Sequence, residues 1–198
     1  MMPKVIVAVC ARMGSQRLPG KALADVCGKP SIWYPLHRAK RSGLEVCFCT
    51  PTGDENDPLA DAVVSMGFPV STQPRHSARE MYAAGNNSGA DHVVRVTGDD
   101  IMVDPDLMVR AVEMHIMEDA DYTTMPAVSR GWDCEVVSMS ALEFASDFDE
   151  PELMGNILDR LPIKRFLTAL STPFKPNLEL NTPEDLERVR EYVAKNGW

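Results

Sequence analysis

Two rhythms of apolar and polar residues alternate along this chain. Lys4–Cys10 (KVIVAVC) is a near-continuous β-branched run, the pattern of a strand buried on both faces. Glu45–Thr50, Phe68–Ser71, His92–Thr97 (HVVRVT), Tyr122–Met125 and Cys134–Ser138 predict further strands. Helical spacing fills the gaps. Ser31–Lys40 carries Ile32, Leu36 and Ala39 on one stripe, with a cap region at Ser31 and Gly43 as the stop. Asp57–Met66 has Asp57 as its predicted N-cap and Pro58 in the first position. Ser77–Asn86, Asp104–Met117 (capped by Asp104), Ser140–Ser146, Pro151–Leu161 and Thr182–Lys195 complete the helices. Strands alternating with helices of this length predict βαβ units: an α/β fold, a three-layer α/β/α sandwich around a mostly parallel sheet, in one domain over 1–198. Asp121–Ser138 is strand-rich without helices, which predicts a small antiparallel edge.

Composition narrows the picture. Hydrophobic content of 44% and charged content of 25% are ordinary for a globular protein. A net charge of −9 argues against nucleic acid or an anionic membrane as partner, since the summed field repels polyanions. It leaves room for a small phosphate ligand, for which a local cluster or a metal suffices. No apolar run reaches the roughly 18 residues of a membrane span, and Val5–Cys10 lacks a signal-peptide pattern. Five cysteines with no CxxC pair read as reduced thiols near buried strands, and the expected compartment is the cytoplasm.

Against that negative background, Val9–Pro30 (VCARMGSQRLPGKALADVCGKP) gathers Arg12, Arg17, Lys21 and Lys29 directly after the first strand. Gly14 and Gly20 would let the backbone bend and turn N–H groups toward an anion, while Arg and Lys supply charge. The loop fits neither GxGxxG nor GxxxxGK[ST], so the dinucleotide and Walker readings fail on spacing. A solvated basic loop is the bland alternative. "RVTGDDIMVDP" (Arg95–Pro105) tips the balance. Ligands of parallel α/β sheets sit at the carboxyl ends of strands, and Asp99 and Asp100 end one there, with Gly98 opening space beside them. Carboxylates that approach a triphosphate need a divalent cation between them, and Mg²⁺ takes one or two carboxylates with phosphate oxygens.

Together, "ARMGSQRLPGKAL…GKP", "TGDENDPLA", "RVTGDD…VDP" and "NTPEDLERVREYV" resemble the motifs of bacterial cytidylyltransferases that activate sugars and sugar acids. The likeness is greatest to the spore-coat-polysaccharide group, with the Kdo and acylneuraminate cytidylyltransferases as wider relatives. The resemblance implies a Rossmann-like nucleotidyltransferase fold and a role in polysaccharide biosynthesis. It implies CTP and a small acceptor as partners, pyrophosphate as product, Mg²⁺ as cofactor and a homodimer as the common assembly. It carries over Arg12 and Lys21 as phosphate contacts, Ser15 and Arg17 as further loop contacts, and Asp99 as a metal ligand. Asn181, just before "TPEDL", is the implied second ligand, where such enzymes usually have Asp. The competing role for Asn181 is as cap of the last helix, a role Thr182 also fits.

Arg12, Lys21 and Asp99 are therefore the expected catalytic residues. Ala11, Gly14, Ser15, Arg17 and Arg75 join them around the nucleotide, with cytosine expected near Val9–Ala11 and Arg75. Arg79 is a candidate acceptor contact, although Ala78 replaces the family's usual acid before it. Asp133 and Glu135 (GWDCEVVS) match an acidic pair that the resemblance places near the acceptor, and their i, i+2 spacing points both to one strand face. A solvated or buried edge strand explains the pair equally well. Two rivals stay open: a metal-dependent glycosyltransferase, which would not need the basic loop, and a nucleotide-binding regulator without turnover, suggested by Asn181 and Ala78.

Overall fold

The computed structural model describes residues 3–74, 77–147, 158 and 160–198. Arg75 and most of the helix expected at Pro151–Leu161 lie outside these residues. In chain order the strands are β1 (Val5–Cys10), β2 (Asp25–Val26), β3 (Lys29–Pro30), β4 (Glu45–Pro51), β5 (Val70–Gln73), β6 (His92–Thr97), β7 (Tyr122–Thr124), β8 (Glu135–Ser138) and β9 (Arg165–Leu167). The helices with described bounds are α1 (Trp33–Lys40), α2 (Asp57–Ser65), α3 (Ser77–Ser88), α4 (Pro105–Met117), α5 (Met139–Ser146) and α6 (Pro183–Asn196). Among the described residues no helix is long and apolar enough to cross a membrane.

Seven strands form one sheet in the order β5-β4-β1-β6-β8-β7-β9. β1 pairs in parallel with β4 and with β6, and β4 in parallel with β5. Ile6, Val7, Ala8 and Val9 have no exposed surface, as the unbroken β-branched run requires of a central strand. Alternation then sorts the side chains. Val7 and Val9 join Phe48, Val94, Leu36, Met108 and Val189 on one face, under α1, α4 and α6. Ile6 and Ala8 join Val93, Met81 and Leu142 on the other, under α3 and α5. Each fully buried Val, Leu or Ile contributes about 1.5–3 kcal/mol, so these two cores hold the three-layer fold together.

β8 runs antiparallel to both β6 and β7. It supplies the antiparallel pairing expected on this side of the sheet, which ends at β9, paired in parallel with β7. β2 and β3 make a separate hairpin whose Cys27 and Gly28 both have positive φ (50° and 83°), the turn type that matches strand twist.

The caps refine the expected helix starts. Asp104 accepts from the N–H groups of Asp106 and Leu107, as its place before Pro105 predicts. Thr182 and Asp185 form a reciprocal capping box on α6, so Thr182, not Asn181, is the cap. The N-cap of α2 is Asn56 and not Asp57, and the Asn56 side chain is used elsewhere. Ser31 does not cap α1; its hydroxyl donates to Lys21 O at 2.5 Å.

At the far end of β6, His92 Nδ1 lies 3.1 Å from Nε2 of fully buried His115, whose Nδ1 meets Thr123 Oγ1 at 2.7 Å. One proton serves the pair. Burial, and then the His92 charge, lower the His115 pKa to about 4, against the pull of Asp121 and Asp119. An unfolded His titrates near about 6.5, so the unfolded chain takes up protons first. Stability is therefore complete above about pH 6.5 and lost as pH falls toward 4. Thermal denaturation should show the midpoint dropping across that window, and His115→Gln should flatten the drop.

Candidate active site

The candidate site begins where β1 ends. Ala11 N–H donates to Cys49 O at 3.1 Å, which extends the β1–β4 pairing into the loop. Met13 N–H then donates to Asn56 Oδ1 at 3.0 Å, so the N-cap residue of α2 anchors the loop. Within the loop, Ser15 and Gly20 N–H both donate to Met13 O, Leu18 N–H to Ser15 Oγ and Lys21 N–H to Leu18 O. These amides are engaged inside the loop, so side chains carry more of any anion binding than the glycine content suggests. Gly20 needs its glycine, with φ of +70°. Gly14 does not: its φ is not positive, and a Cβ there would meet no atom within 4 Å.

The loop turns into a 3₁₀ turn at Lys21–Leu23, and Lys21 reaches across to the end of β6. Its Nζ donates to Asp99 Oδ2 at 2.6 Å, to Leu180 O at 2.8 Å and to Asn181 Oδ1 at 3.1 Å. Arg17 Nη2 reaches the same Asn181 Oδ1 at 2.7 Å. Two cations of the opening loop thus meet the two predicted metal ligands at one point. Burial pushes the Asp99 pKa up, but the Lys21 ammonium, through its charge and its hydrogen bond, outweighs it and holds the group ionised. Asn181 is freed for this role because its N–H is bound by Asp185 Oδ2 at 2.9 Å while Thr182 caps the helix.

Gly98 makes the approach possible. A Cβ at this position would lie 2.6 Å from Ala11 Cβ and 3.0 Å from Ile32 Cδ1. Gly98 N–H donates to Cys10 O at 2.8 Å, so the opening loop and the TGDD turn are pressed together along the missing side chain. Gly98 therefore gives contact, not the open space beside the acids that the sequence suggested. The result is a cavity of about 450 Å³, walled by Ala11, Arg12, Ser15, Gln16, Arg17 and Lys21 on the loop side. Thr97, Asp99 and Asn181 face them. Gly14 is not among the described lining residues.

Thr97 also borders a smaller cavity of about 210 Å³ lined by Asp100, Asp133, Glu135, Glu179, Arg95 and Arg130. Glu135 is engaged there, by Arg95 Nη1 at 2.6 Å and by the Tyr122 hydroxyl at 2.6 Å. Asp133 differs: its Oδ1 is buried without a hydrogen-bond partner. Burial, with the negative charges of Glu135 and Glu179, raises the Asp133 pKa to about 6. Asp100 is raised further by burial and by Asp133 and Asp99, and it accepts from the Thr97 hydroxyl. Gly131 (φ +88°) packs against the backbone at Leu178, and Leu180 N–H donates to Asp99 O at 2.9 Å. Those contacts bring the strand leading to Asn181 up to both cavities. Arg79 is elsewhere: its Nε donates to Ser146 O at 2.8 Å, joining α3 to α5, and it is not among the described lining residues of either cavity.

Asn56, Thr97 and Gln16 were not singled out from the sequence. Asn56 had a readable signal, an Asn directly before a predicted helix; Thr97 and Gln16 had none beyond adjacency to the motifs.

The family model for cytidylyltransferase matches residues 6–192. The chain belongs to the cytidylyltransferase family. Among individual relatives, a 3-deoxy-manno-octulosonate cytidylyltransferase of Trichlorobacter lovleyi is 31% identical over 113 residues, covering 56% of this chain and 44% of the relative. The chain thus spans less than half the length of that curated cytidylyltransferase. The spore coat polysaccharide biosynthesis protein SpsF of Bacillus subtilis is 26% identical over 213 residues, covering 99% of this chain and 89% of that protein. The solved structure of a cytidylyltransferase from Leptospira borgpetersenii superposes with a TM-score of 0.87 at 23% identity, over 98% of this chain and 88% of that one. At that identity the likeness speaks for the fold, and it agrees with the nucleotidyltransferase architecture expected from the sequence.

The two glycines of the motifs make a direct comparison. Gly98→Ala should cost about 1–3 kcal/mol by urea denaturation, because the new methyl overpacks against Ala11 and Ile32. Gly14→Ala, with open space around it, should change stability by less than about 0.5 kcal/mol.

Proposed function

We propose that this cytidylyltransferase family member transfers a cytidylyl group from CTP to an oxygen of a sugar or sugar-acid acceptor, releasing pyrophosphate. One observation carries the reading: Lys21 and Arg17 meet Asp99 and Asn181 at a single point in the cavity of about 450 Å³, at the carboxyl ends of β1 and β6. The base follows from the family, and the acceptor class from the names of its relatives.

The donor set suits a hard cation. Asp99 carboxylate, Asn181 amide and Leu180 carbonyl are all oxygen ligands, and they already surround an ammonium. Asp99 and Asn181 would hold Mg²⁺ with phosphate oxygens completing its shell, as that ion prefers. When bound, Mg²⁺ would neutralise charge on the α-phosphate and favour attack at phosphorus. The chain's own groups do the rest. Lys21, released from Asp99 as phosphate enters, follows the departing pyrophosphate with Arg12. Arg17 stays on Asn181 and fixes the amide oxygen toward the cavity. Ala11, at the loop's start, borders the base. Asp133 is the better group to orient the attacking hydroxyl, because Glu135 is already held by Arg95 and Tyr122. Little covalent chemistry falls to the protein; positioning and charge supply the rate.

Pyrophosphate release should be fastest with CTP among the nucleoside triphosphates, across a panel of sugar acids, sugar phosphates and polyol phosphates. Lys21→Ala and Asp99→Ala should each reduce it by about a hundredfold or more, with circular dichroism unchanged. Equal rates with all triphosphates would defeat the base assignment, and CTP binding with no turnover for any acceptor would favour a regulatory protein. With Asp133 as the orienting base, kcat/KM should fall as pH drops through about 6. Asp133→Asn should remove that limb.

A further inference from the structure

Three thiols meet beside the main cavity, and the proposed reaction uses none of them. β1 and β4 pair in parallel with Cys10 opposite Cys49, so both side chains project to the α3 face of the sheet. Cys47, two residues earlier on β4, projects there as well, and both Cys10 and Cys47 pack against the core that contains Cys49. The Cys49 thiol is fully buried and donates to Glu80 O at 3.7 Å, with Cys10 and Cys47 on the same sheet face beside it. Cys10 differs from the other two in one respect: it also lines the cavity that opens to solvent. All three are free thiols.

The surroundings favour chemistry at Cys10. Arg95, in register with Ala8 on the neighbouring strand, is close enough for its charge and that of Cys10 to interact. Its Nη1 is committed to Glu135, but its buried Nε has no hydrogen-bond partner. Thiolate is the form of a cysteine that attacks oxidants, and Cys10 is the one of the three thiols that an oxidant can meet from the cavity. Backbone spacing then selects the resolving partner. Neighbouring strands are about 4.8 Å apart, within the lower part of the range of Cα separations that disulfides span. Cys47 and Cys49 are two residues apart on one strand, about 6.6 Å, at the upper limit of that range. Cys49 lowers the Cys47 pKa through a hydrogen bond, so Cys47 competes for Cys49, but the strand geometry favours Cys10.

We propose that Cys10 and Cys49 form a peroxide-sensitive dithiol in the wall of the nucleotide cavity, Cys10 reacting first and Cys49 resolving it. The Cys10 thiolate attacks one peroxide oxygen, the O–O bond breaks, and hydroxide leaves to become water. Cys10 is then a sulfenic acid. The Cys49 thiol attacks that sulfur, the S–O bond breaks, and a second water departs with the thiol proton. Two thiols lose two electrons and hydrogen peroxide becomes two waters. Because Ala11 N–H already binds Cys49 O, the bond links strand ends that are neighbours. It draws Cys10 away from the cavity wall at the root of the loop that carries Arg12, Arg17 and Lys21. A dithiol reductant restores the pair.

The test needs no turnover, so it stands apart from the fate of the proposed reaction. The full reduced chain is treated with graded hydrogen peroxide, free thiols are alkylated, and peptides are mapped by mass spectrometry. A Cys10–Cys49 linked peptide, reversible by dithiothreitol, is expected at peroxide levels that leave exposed Cys27 alkylated. Cys49→Ser, or Cys49→Ala should the first variant fold poorly, should instead trap Cys10 as sulfenic acid. Cys10→Ser should leave Cys49 unlinked at the same dose. Oxidation of Cys27 before Cys10, or a Cys47–Cys49 linkage in its place, would overturn the proposal.

Discussion

The site depends on one constraint: a half-buried carboxylate at the end of β6 must keep its charge, and the cation that meets it is a lysine 78 residues earlier in the chain. Asp99 and Lys21 have side chains only 19% and 17% exposed, so neither is well solvated alone. Removing either partner would leave an uncompensated charge in a partly dry cavity, which is costly. Their contact, extended to Leu180 and Asn181, ties together three segments distant in sequence. The cations of a net-negative chain are thereby concentrated where a polyanion would enter.

Backbone approach underwrites that contact. Gly98 lets the first loop lie against the β6 turn, and Gly131 lets the 130s loop lie against the segment leading to Asn181. Asn56 holds the loop from the α2 side. The charged groups are thus carried on a frame set by close contacts and hydrogen bonds, which is what a reaction catalysed mainly by positioning requires. The smaller acidic cavity shares Thr97 with the main one, and Asp133, which lies in the loop before β8 and not on the strand the sequence suggested, has a separate task from Glu135: Glu135 neutralises Arg95, while Asp133 keeps an unpaired oxygen.

Much of this was legible in the sequence where one physical signal dominates. The unbroken β1 run placed the central strand, Asp104 before Pro105 placed a cap, and the basic loop and TGDD turn pointed to one rim. The fold and family followed. Other features had competing signals. The strand expected at Phe68–Ser71 lies at Val70–Gln73, because Phe68 packs into the core before the strand starts. The Cys27-Gly28 turn lacks the Asn or Asp that usually announces such a hairpin, and β9 is too short to show periodicity. Asp57 yielded the cap position to Asn56, and Ser31 turned its hydroxyl to Lys21 O, since the backbone entering each helix decides which residue caps. That Glu135 would be consumed by Arg95 depends on β6–β8 pairing, a long-range register that no local pattern encodes.

The most direct test is the titration of the Asp99 carboxyl, followed by carbon NMR in the wild-type chain and in Lys21→Met. With the ammonium in place the midpoint should lie below the ordinary aspartate value of about 3.9. Without it, burial should dominate and carry the midpoint above that value. The same midpoint in both proteins would show that Lys21 does not hold Asp99, and would contradict the account of the site.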